Sequence, residues 1–555
     1  MYLNYIAFHS IHFELPMSRL PSLAAGCALA SIVLSACGGG GSGSDSSGGG
    51  SNLPAVDTSA VAVADPGSTL AANWQTGVFM EIYVRGYKDS DGDGIGDLKG
   101  LTQSLDYLKD LGISGIWLMP VTQSQDHDHG YAVTDYRGIE TQYGTLADFD
   151  EFVKQAHARG IGVIIDYVMN HSAAQHPAFI NAKADKGNAF RNWYVWQDNK
   201  PTGWSIYGND PWYSGGTGYY FAGFWDQMPD FNLLNAEVVG YHQNSMRYWL
   251  NRGVDGFRFD AVGNLVENGP SAWEKQPQNY ALMNDVRKMM DGYSRRYMVC
   301  EAPADPVGFA SSTACGSAFA FGHSSDIVNA AKGTASAVKA VAEYFISAPS
   351  GMATMVSNHD AFAGQRLYDQ VGGNAAQYKL AAATYLLQPG TPFIYYGEEI
   401  GMAGASSLSG DWKLRTPMSW TAAGGFTTGT AFRASSGNVA TNNVAAQTAD
   451  ANSLLNFYKS LIALRRAHPS LALGTYEHPA SSGTVMSYQR AQGAERTVVI
   501  INYGTSSAAV SLANLPANAV LAPLLPTGGA GINADAAGNA TANVGAQSVT
   551  VFQVN

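Results

Sequence analysis

The 555-residue chain is 46% hydrophobic and only 14% charged, a balance that excludes a disordered chain. Its formal net charge of −12 excludes the basic surface that neutralises phosphates, so no nucleic-acid partner is expected. The length allows more than one domain around a large core.

Arg19 precedes an apolar run from Leu23 to Leu34. The run is shorter than the roughly 20 residues of a membrane span but suits a secretory signal. Residues 1–36 read as that signal, with Met17 as the start. Leu34-Ser35-Ala36-Cys37 resembles a bacterial lipobox, in which the Cys carries lipid. Residues 37–72, opening on Cys37 and a Gly/Ser run, read as a flexible tether. The expected location is outside the cytoplasm, held by lipid on Cys37 at the outer membrane, which is the only membrane contact expected.

From about Val78, short apolar runs alternate with amphipathic segments. Val78–Val84 is strand-like. Thr102 is placed to cap a helix carrying Leu105, Leu108 and Leu111, ended by Gly112. Ile113–Met119 reads as a buried strand, and Thr145 opens a helix through Phe149, Phe152, Val153 and Ala156. Further apolar runs follow at Gly162–Val168, Val254–Phe259, Tyr297–Cys300, Met352–Val356 and Pro392–Tyr396. This is the pattern of a parallel sheet covered on both faces. The number of repeats predicts an α/β fold, a closed (β/α)₈ barrel over residues 73–171 and 236–470. Residues 172–235, rich in Trp, Tyr, Gly and Asp, are too long for a bare loop and read as a small inserted domain after the third strand. After a helix at Ser453–His468 the pattern turns to alternating strands. Val485–Arg490 and Arg496–Ile501 make a hairpin at Gly493, and Ser548–Val554 is a last strand, so residues 471–555 read as an all-β sandwich. Cys300 and Cys315 are suited either to a disulfide in an oxidising compartment or to two buried thiols.

Barrel enzymes work at the C-terminal ends of their strands, and several of these ends are polar. They carry Asp166 through His171, Arg258 with Asp260, Glu301, and Asn358-His359-Asp360. A ring of Asp260, Glu301 and Asp360 suits glycoside cleavage, where one carboxyl protonates the leaving oxygen and another attacks the sugar. Crowding raises the pKa of one carboxyl and keeps it available as an acid, while Arg258 holds the nucleophile ionised. Alternate Asp oxygens at Asp89, Asp91, Asp93 and Asp97, with the Ile95 carbonyl, suit a hard cation such as Ca²⁺. The Asp126-His127-Asp128-His129 cluster offers transition-metal ligands, but its position against Gly130-Tyr131 favours a pocket lining.

These segments resemble, in order, the conserved segments of the α-amylase family of glycoside hydrolases. Gln227 through Asn232 resembles the motif of members intermediate between oligo-1,6-glucosidases and neopullulanases. The resemblance implies Asp260 as nucleophile, Glu301 as general acid/base, and Asp360 as the carboxylate that holds sugar hydroxyls. It implies that His171 and His359 bond the same sugar, that Tyr131 stacks beneath it, and that Asp128 and Arg258 line its pocket. It implies a calcium loop at Asp89–Asp97, a retaining mechanism, and an α-glucan or maltooligosaccharide substrate for a monomer. Gly263-Asn264 departs from the Lys-His pair of many members. Ala261, after the nucleophile, is the small residue of α-1,4 enzymes, where α-1,6 enzymes resemble one another in carrying Val. The activity expected is hydrolysis of α-1,4-glucosidic bonds in starch or maltodextrins. An exo-acting α-glucosidase, a transglycosylase and an inactive glycan-binding scaffold are the alternatives.

Overall fold

The structure is a computed structural model that describes residues 53–555. The signal segment and Cys37 lie outside the described residues. Among the described residues no helix is long and apolar enough to cross a membrane.

Eight parallel strands close into a barrel. In chain order they are β1 (Phe79–Ile82), β2 (Gly115–Leu118), β3 (Gly162–Tyr167), β4 (Gly256–Phe259), β5 (Tyr297–Cys300), β6 (Ala318–Phe319), β7 (Met352–Thr354) and β8 (Thr391–Tyr395). Every strand position is buried, which explains why the longer strands read as near-continuous apolar runs rather than alternating ones. Phe79, Trp117, Ile164, Val299, Phe319, Ala353 and Phe393 form one cluster inside the barrel, with Leu70 and Trp74 packed against them. The interior is therefore filled with side chains, not a pore. β6 escapes sequence reading because its two residues give no apolar run. A disulfide joins Cys300, at the end of β5, to Cys315 across a Cα–Cα distance of 6.3 Å.

The helix expected to start at Thr102 starts earlier. Asp97 caps the helix Leu98–Gln103 by accepting from the Gly100 N–H, and Ser104 separates this helix from Leu105–Leu111. The Thr102 hydroxyl bonds back to the Leu98 carbonyl inside the first helix, a local bond open to any mid-helix Thr. Thr145 does cap its helix, Leu146–Ala158, in a capping box with Asp148.

The segment after β3 holds the helix Pro177–Ala184 and a three-stranded sheet of Trp196–Gln197, Trp212–Ser214 and Tyr219–Phe221. Its core is aromatic: Phe179 stacks on Trp196 at 5.7 Å and Tyr194 on Phe231 at 4.8 Å. A bridge between His171 and Asp230 brings the returning chain back beside β3.

The C-terminal strands are antiparallel. A six-stranded sheet faces the pair Ala508–Leu512 and Ala540–Val544 across a core that includes Val498, Ile500, Phe552, Leu512 and Val544. Arg465 and Arg490 fasten this region to the barrel through backbone carbonyls of Leu386, Leu387, Gln388 and Gly390. Those carbonyls lie at and just beyond the C-terminus of the helix Ala375–Leu387, where a cation is electrostatically favoured.

Candidate active site

The strand register explains why the polar residues meet. β3 pairs with β4 so that Asp166 lies opposite Arg258, and β4 pairs with β5 so that Phe259 lies opposite Cys300. The next residues, Asp260 and Glu301, therefore leave adjacent strand ends side by side. Arg258, 1% exposed, ties three carboxylates together. Its Nη1 donates to Asp166 at 2.9 Å and to Asp260 at 2.7 Å, while its Nη2 meets Glu301 at 2.7 Å. The guanidinium lies 5.0 Å from the Trp117 ring centre. Such a charge is tolerated in the interior only because it is paired on several sides.

Burial is the largest influence on Asp260 and Glu301 and raises both; the Arg258 charge opposes it. Glu301 ends up pushed up to about 7, with the negative charges of Asp260 and Asp360 adding to the effect of burial. Asp260 is raised less far, to about 6, by the same burial against the same Arg258 charge. The two groups thus share one environment, and Glu301 keeps its proton to the higher pH. The backbone N–H of Ala261 also donates to Glu301, at 3.1 Å. Ala261 has φ 46° and ψ 38°, the left-handed region, where a β-branched side chain is a strained outlier.

Asp360 sits in a different setting. His359 Nε2 lies 2.9 Å from one of its oxygens and Arg415 Nη2 2.8 Å from the other. Burial would raise its pKa, but these two cations hold the carboxyl well below the usual range. The far side of His359 bonds Glu81 of β1 at 2.5 Å. Tyr131 stacks on His359 with ring centres 5.6 Å apart, and its hydroxyl donates to Asp166 at 2.9 Å. His171 is buried and neutral, its pKa lowered by burial to about 3, and its Nε2 has no hydrogen-bond partner among the described residues.

Asp128 is fully engaged: Arg433 contacts both of its oxygens, at 2.9 and 2.7 Å, and the Tyr83 hydroxyl donates to it. Asp126 accepts from the N–H groups of Asp128, Gly130 and Ala132 and so shapes its own turn. Among the described residues the carboxylates that converge are Asp89, Asp91 and Asp97, with one oxygen of each within 4.8 Å of the others. None of the three has an ion-pair partner among the described residues, which suits a cation. Asp93 does not join them and turns to the Ile95 N–H at 2.7 Å.

Sequence reasoning missed Glu81, Arg415 and Arg433. Glu81 carried a signal, a lone acid inside an apolar strand. The two arginines carried none, because they sit in the long segment after β8 and meet Asp360 and Asp128 only through the fold.

The chain matches the catalytic domain of alpha amylase over residues 81–474. It is 33% identical to alpha-amylase 3 of Dictyoglomus thermophilum over 77% of this chain and 85% of that protein. It is 31% identical to an oligo-1,6-glucosidase of Parageobacillus thermoglucosidasius over 78% of this chain and 90% of that protein. Among solved structures, an alpha-amylase from H. orenii superposes with TM-score 0.73 and 31% identity, covering 87% of this chain and all of that one. A trehalulose synthase variant superposes with TM-score 0.75 and 27% identity over the same shares.

Proposed function

The chain belongs to the α-amylase family of glycoside hydrolases, and from that premise we propose that it cleaves α-1,4-glucosidic bonds in starch-derived glucans with retention of configuration. The observation that carries the reading is the single Arg258 guanidinium joined to both Asp260 and Glu301. It supports an ionised nucleophile beside a protonated acid, each 2.7 Å from one guanidinium. Retaining glycosidases set their two carboxyls close together, whereas inverting ones leave room for a water between them.

Asp260 attacks the anomeric carbon while Glu301 protonates the leaving oxygen. Glu301 then removes a proton from the water that releases the sugar. Asp360, held ionised, receives hydroxyl hydrogen bonds from the same sugar. His171 offers its Nε2 to another hydroxyl, and Tyr131 and His359 supply the wall beside it. The small Ala261 leaves room for a 4-linked ring and favours α-1,4 over α-1,6 bonds. Chain-end attack has support in the Asp128–Arg433 ion pair, which joins the loop after β2 to the segment after β8. Asp89, Asp91 and Asp97 would hold Ca²⁺ as a structural ion, and lipid on Cys37 would tether the exported protein.

Digestion of maltoheptaose with NMR of the fresh product tests the reading. The α-anomer should appear first, and β-anomer first would overturn the double displacement. Maltotriose should be cut faster than isomaltotriose, and the reverse order would overturn the linkage. Cys37→Ser should move the protein from the membrane to the soluble fraction, and unchanged membrane association would overturn the anchor.

A further inference from the structure

Among the described residues three phenylalanine or tryptophan side chains are exposed: Trp225, Phe362 and Trp412, at 43%, 41% and 43%. Chance would scatter them over the surface, yet all three lie on loops beside the catalytic ring. Trp225 follows Phe224, whose ring packs 5.6 Å from His171. Phe362 stands two residues after Asp360. Trp412 follows Asp411, which bonds the Arg415 that holds Asp360.

Phe362 has the most constrained setting. It lies on the turn Ala361–Ala363, which is pinned where the Ala361 N–H donates to Asp411 at 2.8 Å. Its ring stacks on Phe321, with centres 5.7 Å apart and planes 20° apart. Phe321 leaves the end of β6 and packs on the aromatic layer inside the barrel. Cys300 pairs with Ala318, so Glu301 stands beside Phe319. Phe321 lies two residues beyond it, past the strand end, where its N–H turns back onto the Phe319 carbonyl at 2.9 Å and its ring lies 6.4 Å from that of Phe319. The stacked pair therefore rises above β6, between the acid on β5 and the carboxylate that follows β7. The sugar under attack is walled on the other side by Tyr131 and His171. One exposed aromatic face, rigidly backed and next to the proton donor, is left for something that arrives with the leaving group.

We infer that Phe362, backed by Phe321, is the stacking surface for the glucose residue on the leaving-group side of the cut bond. The inference rests on the α-glucan reading above. The C–H face of a glucose ring lies flat on the exposed phenyl face, and burial of both drives the contact. The platform makes the enzyme prefer chains that extend past the cut.

Phe362→Ala should lower kcat/KM on maltoheptaose by about tenfold, and Phe362→Trp should restore it. Hydrolysis of α-glucosyl fluoride, whose leaving group is too small to reach the ledge, should stay within about twofold of wild type. Equal loss on both substrates, or no loss on maltoheptaose, would overturn the platform while leaving the α-glucan reading intact. A wild-type enzyme that consumes α-glucosyl fluoride but leaves maltoheptaose untouched would overturn the substrate reading and the platform with it.

Discussion

Two groups of buried acids lie in this barrel, and they differ in what faces them. At the mouth, Asp166, Asp260 and Glu301 are gathered by one guanidinium. Behind the end of β8, Glu398 takes hydrogen bonds from Tyr385 at 2.6 Å, Tyr458 at 2.8 Å and Ser357 at 3.1 Å, and no cation reaches it among the described residues. Burial pushes Glu398 up to about 7, as it does Glu301. A raised carboxyl is therefore not the mark of a catalytic acid. The mark is a raised carboxyl beside an ionised one, both paired to a shared cation at the C-terminal face of the barrel. The hydroxyl cage around Glu398 instead ties the turn after β8 to the helices Ala375–Leu387 and Leu454–Ala467.

The comparison breaks most simply by substitution. Asp260→Asn should lower kcat by at least about 10³-fold with an unchanged circular dichroism spectrum. Glu398→Gln should keep kcat within about threefold, because the amide oxygen still accepts from the hydroxyls. Comparable losses in the two variants would erase the distinction between the clusters.

The next largest effect belongs to Arg415. Arg415→Ala removes one of the two cations that hold Asp360 ionised, and kcat/KM on maltooligosaccharides should fall by about 10- to 100-fold. Arg415→Lys should recover part of it. Wild-type kinetics in the alanine variant would show that His359 alone suffices.

pH separates the clusters by what it changes, activity in one and stability in the other. Activity needs Glu301 protonated and Asp260 ionised, so kcat should trace a bell and fall as pH rises through about 7. With α-glucosyl fluoride, whose departure needs little protonation, Glu301→Gln should lose that alkaline limb. Glu398 acts on stability instead. Its folded pKa lies above the unfolded value of 4.5, so the folded state binds the extra proton between about 4.5 and 7. Its contribution is complete below that window and lost across it as pH rises. Glu398→Gln should flatten this part of the stability curve, measured by urea unfolding; an unaltered slope would assign the proton elsewhere.

The smallest effect tests a third acid cluster, Asp89, Asp91 and Asp97, which no guanidinium or ammonium reaches among the described residues. Chelation should lower Tm by a few degrees through loss of Ca²⁺ bound only to the folded state. Asp91→Ala should remove the difference between chelated and calcium-loaded protein. A Tm that responds to chelator equally in both would place the ion elsewhere.

The same contrast explains what could be read without coordinates. Seven barrel strands were legible because each is a mostly apolar run long enough to register, Asp260 and Glu301 because each directly follows such a strand, and Asp360 because it stands in the polar segment after one. β6 was not legible, since pairing on both sides lets two residues serve as a strand. Thr102 misled because a hydroxyl before an apolar run suits a cap and a back-bond equally, and only Asp97 shows which was used. Arg415 and Arg433 complete the site from a segment whose composition resembles any polar loop. Sequence reported the chemistry that sits on the ladder and was silent on the charges that reach it from outside.

One covalent feature carries a consequence for where this barrel can be made. β5 and β6 share a single paired position, Cys300 with Ala318, so this seam has the fewest ladder contacts to hold it. It is also the seam beside the acid. The Cys300–Cys315 bond ties the end of β5, one residue before Glu301, to the segment that leads into β6, and so replaces missing ladder with a rivet. A rivet of this kind sets only under oxidising conditions. Chains folded under reducing conditions would close the barrel with its loosest stave next to the proton donor.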